Sequence, residues 1–243
     1  LGMVGIFVYV GVEVSTASNL PAFLKQHLDI PTDKVAPYIS LFWASLMIGR
    51  WTASVGAFDL SKGVKSVLRF FMPYIAFGVF LLVNSIARHD VTPFYYYPFV
   101  IIAMIAGDIL SKGNPARLLL IFSIMAITAL FVGMLADGMI SAYAFMSVGL
   151  FCSTLWPCIF TLSIAGLGKH TNEGASFLIM MIMGGGVISL TQGFLADNLL
   201  GIQWSYLVGV ACFAYLAFYA VKAKSILKSQ GIDYDHLEAS GGH

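Results

Sequence analysis

The chain has 243 residues, 59% of them hydrophobic and 10% charged, with a formal net charge of +1 and a mean hydropathy of +0.87. A water-soluble domain of this length needs more polar surface, and a nucleic-acid binder needs a basic face, so both classes are excluded and an all-α integral membrane protein remains. Cys152, Cys158 and Cys212 lie in apolar segments without CxxC spacing and the five histidines are scattered, so buried thiols are expected and neither a metal site, a disulfide framework nor a cofactor is.

Apolar runs long enough to cross roughly 30 Å of hydrocarbon recur about eight times, near residues 2–26, 36–58, 66–87, 94–110, 117–136, 140–165, 174–197 and 203–222. The first lacks the sequel of a cleavable leader and reads as a span, while a start inside an apolar run without Met leads us to expect residues upstream. Lys62, Lys65, Arg69, Lys112, Arg117, Lys169, Lys222, Lys224 and Lys228 cluster in alternate connections, against Lys25, Lys34 and Arg88 in the others. Excess positive charge marks the cytoplasmic side, so the C-terminus is expected there, which an even number of spans allows. From Lys222 the tail turns polar and reads as a solvated helix end followed by a disordered terminus.

Glu13 stands mid-span, where an ionised carboxylate costs about 2.5–3.5 kcal/mol, so it must face protein or water. Tyr9, Glu13 and Thr16 share one helical face, and Ser15, Ser18 and Asn19 form a second polar stripe. Glu13 is either a solute-facing acceptor or proton-sensitive group, or a tie between helices. In the second span Trp43, Met47 and Arg50 share a face; Arg50 suits a gating contact, by snorkelling or by holding a carboxylate or helix-end carbonyls of a neighbouring bundle. Trp43 lines a path or packs. The pair of spans over 65–111 looks peripheral, with Asn84 and Asp108 near helix ends, and "RHDVTPFYYYPF" reads as an interfacial aromatic belt with a solvated His89; His170, His236 and His243 also read as solvated.

The stretch from Met139 to Asp197 carries the densest signal: two apolar helices flank a polar turn from Lys169 to Glu173. Pro157 removes a backbone donor and frees the Ser153 carbonyl, so a bend beside a cavity is expected there. Ser153, Trp156 and Phe160 share a broad face next to Thr161, which suits either a sugar's mixed C–H and hydroxyl surface or plain aromatic packing. Gly184, Gly185 and Gly186 read as a close-packing segment; Gln192, in line with Gly185 and Ser189, needs a partner from protein or solute.

"GIFVYVGVEVSTASNLPAFL", "SLFWASLMIGRW", "LFCSTLWPCIFTLSIAGLGKHTNEGASFLIMMIMGGGVISLTQGFLAD" and "KSILKSQGIDYD" together resemble the C-terminal half of major facilitator superfamily sugar transporters, in the fucose–galactose–glucose proton symporter family. The resemblance implies the second six-helix bundle of that fold, with the first two helices in 1–64, an inserted transmembrane hairpin in 65–111, the other four helices in 112–222 and a cytoplasmic tail in 223–243. It further implies transport of a monosaccharide across the inner membrane by alternating access, with a proton as coupling ion and a first six-helix bundle as the partner that carries the coupling carboxylates. Glu13, Asn19, Trp43, Trp156, Thr161 and Gln192 are then candidate sugar contacts, and Arg50, Pro157, Gly184, Gly185 and Gly186 gating or structural residues. A non-transporting membrane subunit or scaffold is the competing reading. An intramembrane enzyme lacks a nucleophile and base at midplane depth.

Overall fold

The computed structural model describes residues 1–58 and 61–232, and every regular element among them is helical. The expected tail beyond residue 232, with His236 and His243, lies outside the described residues. The principal helices are α1 (Gly2–Leu28), α2 (Ala36–Ser54), α3 (Lys62–Ile86), α4 (Pro98–Ser111), α5 (Pro115–Leu135), α6 (Gly138–Cys152), α7 (Leu155–Ile164), α8 (Thr171–Met180), α9 (Gly184–Leu195), the short α10 (Gly201–Trp204) and α11 (Leu207–Ser229). A helix closes its own backbone hydrogen bonds, which hydrocarbon demands of any chain that crosses it.

Among the described residues seven segments are long and apolar enough to span a bilayer, against the eight expected. The difference is α2. Its 19 residues reach roughly 28 Å, but Pro37, Trp43, Arg50 and Trp51 dilute its apolar character. It nevertheless lies within the bundle, packed between α3 and α6. Two expected spans are interrupted: α6 and α7 are separated by Ser153 and Thr154, and a 3-10 turn over Met181–Met183 separates α8 from α9. The expected turn from Lys169 to Glu173 is shorter than anticipated, since α8 begins at Thr171 and the exposed His170 ring pairs with Glu173 at 2.7 Å.

At the centre stands α1, packed on α6, α7, α9 and α11, while α5 packs on α4, α6, α7 and α11. The hairpin of α3 and α4 clasps the bundle at two places, α3 against α2 and α4 against α5. Tyr95 and Tyr96 are exposed as an aromatic belt requires, whereas Phe94 and Tyr97 are fully buried. Phe94 meets the Tyr38 ring edge-on at 4.9 Å, and the Tyr97 hydroxyl lies 2.6 Å from Ser45 Oγ, so these two fasten the hairpin to α2.

The glycine triplet divides by rotation around its helix. A Cβ on Gly184 would strike the Phe7 carbonyl and one on Gly185 would press on Val10 and Val14, but one on Gly186 meets open space. One turn along each helix, Gly11 faces Ile188, so α1 and α9 run parallel in close contact. Gly184→Ala in the full-length protein is therefore expected to destabilise by about 1–3 kcal/mol through overpacking. Gly186→Ala should instead be neutral or stabilising by about 0.5–1 kcal/mol, since Ala is the better helix former. Thermal unfolding in detergent checks the pair, and equal responses would refute the assigned seam.

Candidate functional site

The site begins with two backbone carbonyls. Pro157 has no N–H to offer the carbonyl four residues earlier, so Ser153 loses its helical partner where α6 gives way to α7. Arg50 Nε donates to the Ser153 carbonyl at 3.3 Å, and the Tyr9 hydroxyl donates to the Cys152 carbonyl at 3.1 Å. Side chains from α2 and α1 thus cap the interrupted helix. Gly49 permits the approach of α2, because a Cβ there would fall on the Ser153 side chain. The Cys152 thiol is itself buried, as are Cys158 and Cys212.

Around these caps lies a cavity of about 370 Å³ lined by Tyr9, Val10, Glu13, Arg50, Trp156, Pro157 and Ile182. That volume falls in the range of small-molecule sites. Trp156 is half-buried and stacks on Phe160, with ring centroids 4.9 Å apart and planes inclined by 16°. Glu13, also half-buried, shares the cavity with Arg50, yet among the described residues no ion pair joins them within 4.0 Å. The cavity therefore offers an acceptor, a donor and an aromatic face.

Of the candidate sugar contacts the cavity brings together Glu13 and Trp156, and it adds Arg50 and Pro157 from the gating or structural residues. Arg50 reaches a helix-end carbonyl of its own bundle. Asn19 donates to the Ser15 carbonyl of its own helix at 2.8 Å and does not line this cavity. Trp43, 45% exposed, belongs to a separate groove of about 490 Å³ with Met47, Phe80 and Asn84, between α2 and α3. Thr161 is exposed further along α7. Gln192 is fully buried, its Nε2 donating to Ser205 Oγ at 3.3 Å, while its Oε1 has no protein partner. Tyr9 is the cavity residue that sequence reasoning undervalued; its place one turn before Glu13 was the available signal.

No protein-family model matches the chain. Its fold matches the crystal structure of a major facilitator superfamily transporter in the outward conformation with a TM-score of 0.64, at 21% identity, over 91% of this chain and 41% of that one. The chain is a membrane-embedded helical bundle of the major facilitator fold. In sequence it is 30% identical over 223 residues to the glucose/galactose transporter of Brucella abortus, covering 91% of this chain and 41% of that protein. The glucose/galactose transporter proposed for Helicobacter pylori is 25% identical over 225 residues, with 91% and 42% covered. The L-fucose-proton symporter of Escherichia coli is 30% identical over 112 residues, with 46% and 26% covered. The chain resembles these sugar transporters in sequence, and it spans about two fifths of the length of the curated relatives that match nine-tenths of it.

The capping role of Arg50 has a measurable consequence. Arg50→Ala takes the protein donor away from the Ser153 carbonyl and is expected to destabilise the full-length protein by about 1–3 kcal/mol. Arg50→Lys should recover part of that loss, and an unchanged unfolding midpoint in Arg50→Ala would remove the cap from the account.

Proposed function

We propose that this chain forms the C-terminal bundle of a proton-coupled monosaccharide transporter of the bacterial inner membrane. The observation that carries the reading is the cavity at the broken helix, where Glu13, Arg50 and Trp156 converge. A pyranose has apolar C–H faces and a rim of hydroxyls. Trp156, backed by Phe160, suits the first, while the Glu13 carboxylate as acceptor and the Arg50 guanidinium as donor suit the second. The names of the relatives, glucose/galactose transporter and L-fucose-proton symporter, support a hexose or 6-deoxyhexose as solute and a proton as coupling ion.

In this reading a first six-helix bundle faces the cavity and supplies the other wall, and the solute passes by alternating access. The units are residues 1–64, an inserted hairpin over 65–111, the helices of 112–222 and a cytoplasmic tail. Trp43, with its exposed ring, is assigned to the path next to the facing bundle. Asn19, Thr161 and Gln192 join the sugar only where the opposing bundle or a change of state opens their helices.

Uptake of labelled hexoses by the full-length protein at two external pH values tests the whole reading, with stimulation at the lower pH expected. No uptake of any of them would leave the scaffold alternative. Glu13→Gln should keep sugar counterflow while weakening sugar affinity about tenfold, the effect of one charge-assisted hydrogen bond. Unchanged affinity with loss of proton-driven accumulation would move Glu13 from sugar binding to coupling.

A further inference from the structure

The break between α6 and α7 is a wall with two faces. On one face the Ser153 carbonyl meets Arg50 and the cavity just described. On the other the Thr154 side chain is 8% exposed, and its hydroxyl is buried without a protein partner. That side chain borders a space of about 10 Å³ shared with Gly49, Thr52, Met104, Asp108 and Phe122. About 10–15 Å³ accessible to a water-sized probe is the room that one water needs, given two to four polar neighbours.

The neighbours are there. Asp108 comes from α4, in the hairpin, and its side chain is 16% exposed. Its Oδ2 lies 3.8 Å from Arg69 Nε, and Arg69 is 42% exposed on α3. A carboxylate has about four lone-pair positions, so this long ion pair leaves acceptors free. Thr52 already donates to the Ile48 carbonyl at 2.8 Å and retains acceptor capacity. A water in this space therefore has Thr154, Asp108 and Thr52 to bond, and it satisfies the Thr154 hydroxyl, one of the buried hydroxyls without a protein partner.

We propose that Asp108 is a positioning residue for transport, which fixes the Ser153–Thr154 break through a water shared with the Thr154 hydroxyl. The hairpin then does more than cover α2 and α5. It sets the shape of the helix that carries Trp156 and Pro157 on the opposite face. The consequence for transport rests on the sugar-transporter reading above; the link between Asp108 and Thr154 does not.

The test is a double-mutant cycle in the full-length protein. Asp108→Leu and Thr154→Val should each lower the maximal rate of sugar counterflow about tenfold, with half-saturation changed less than about twofold, and the double variant should be no slower than the slower single one. Asp108→Asn, which keeps hydrogen-bonding atoms and loses the charge, should retain at least about half the rate. A normal rate in Thr154→Val, an Asp108→Asn variant as slow as Asp108→Leu, or effects that multiply would overturn the proposal. If Asp108→Leu does not accumulate in the membrane, Thr154→Ser against Thr154→Val decides, with equal rates counting against it. The same cycle read by thermal unfolding needs no substrate: non-additive midpoint shifts support the link and additive shifts refute it, even in a protein that moves no sugar.

Discussion

Hydrocarbon offers no hydrogen bonds, and an unpaired backbone carbonyl within it costs several kcal/mol. Pro157 creates such a carbonyl at Ser153 by chemistry alone, and much of the surrounding architecture answers it. Arg50 can reach Ser153 because Gly49 brings α2 against the break. Gly149, one turn before the break, does the same lower on α6, where a Cβ would meet the Phe42 carbonyl. Tyr9 reaches Cys152 because α1 stands between α6, α7 and α9. A helix interruption that would be costly on a lipid-facing surface is thus enclosed by three helices, and the enclosure is the cavity.

The same constraint shapes the electrostatics. Arg50 Nε is committed to a backbone carbonyl, which holds the guanidinium at the cavity wall without closing it onto Glu13. A tight Arg–carboxylate pair would satisfy both groups with each other and leave a solute nothing to bond. Held apart, the two groups keep donor and acceptor capacity directed at the cavity, and the desolvation cost of each is relieved by its partial exposure. The aromatic pair Trp156 and Phe160 lies beside them on the same interrupted helix.

What the sequence disclosed followed from local covalent chemistry or from charge in an apolar run. Pro157 announces a free carbonyl at Ser153 wherever the helix sits, and Glu13 announces a non-lipid surface. Partners were another matter. Arg50 and Ser153 are 103 positions apart, and Tyr9 and Cys152 are 143 apart, so no periodicity could pair them. Asn19 and Gln192 carry the right atoms for sugar binding, but the local carbonyl of Ser15 and the hydroxyl of Ser205 engage them first. The three consecutive glycines are equivalent in composition, and each differs from the next by about 100° around the helix, which puts two on the α1 seam and one outside it. Apolar composition also understated α2, because the Arg50 that lowers its hydropathy is what the bundle needs inside.

Two kinds of contact, one at the α1–α9 seam and one made by α1 and α2 at the break, differ in how readily they can be exchanged. At the α1–α9 seam, Gly184 lies against the Phe7 carbonyl with no room for a Cβ, so relative sliding there would require both backbones to separate. At the break, Tyr9 and Arg50 hold carbonyls by single side-chain hydrogen bonds, each worth about 1–3 kcal/mol and each replaceable by water or by a solute hydroxyl.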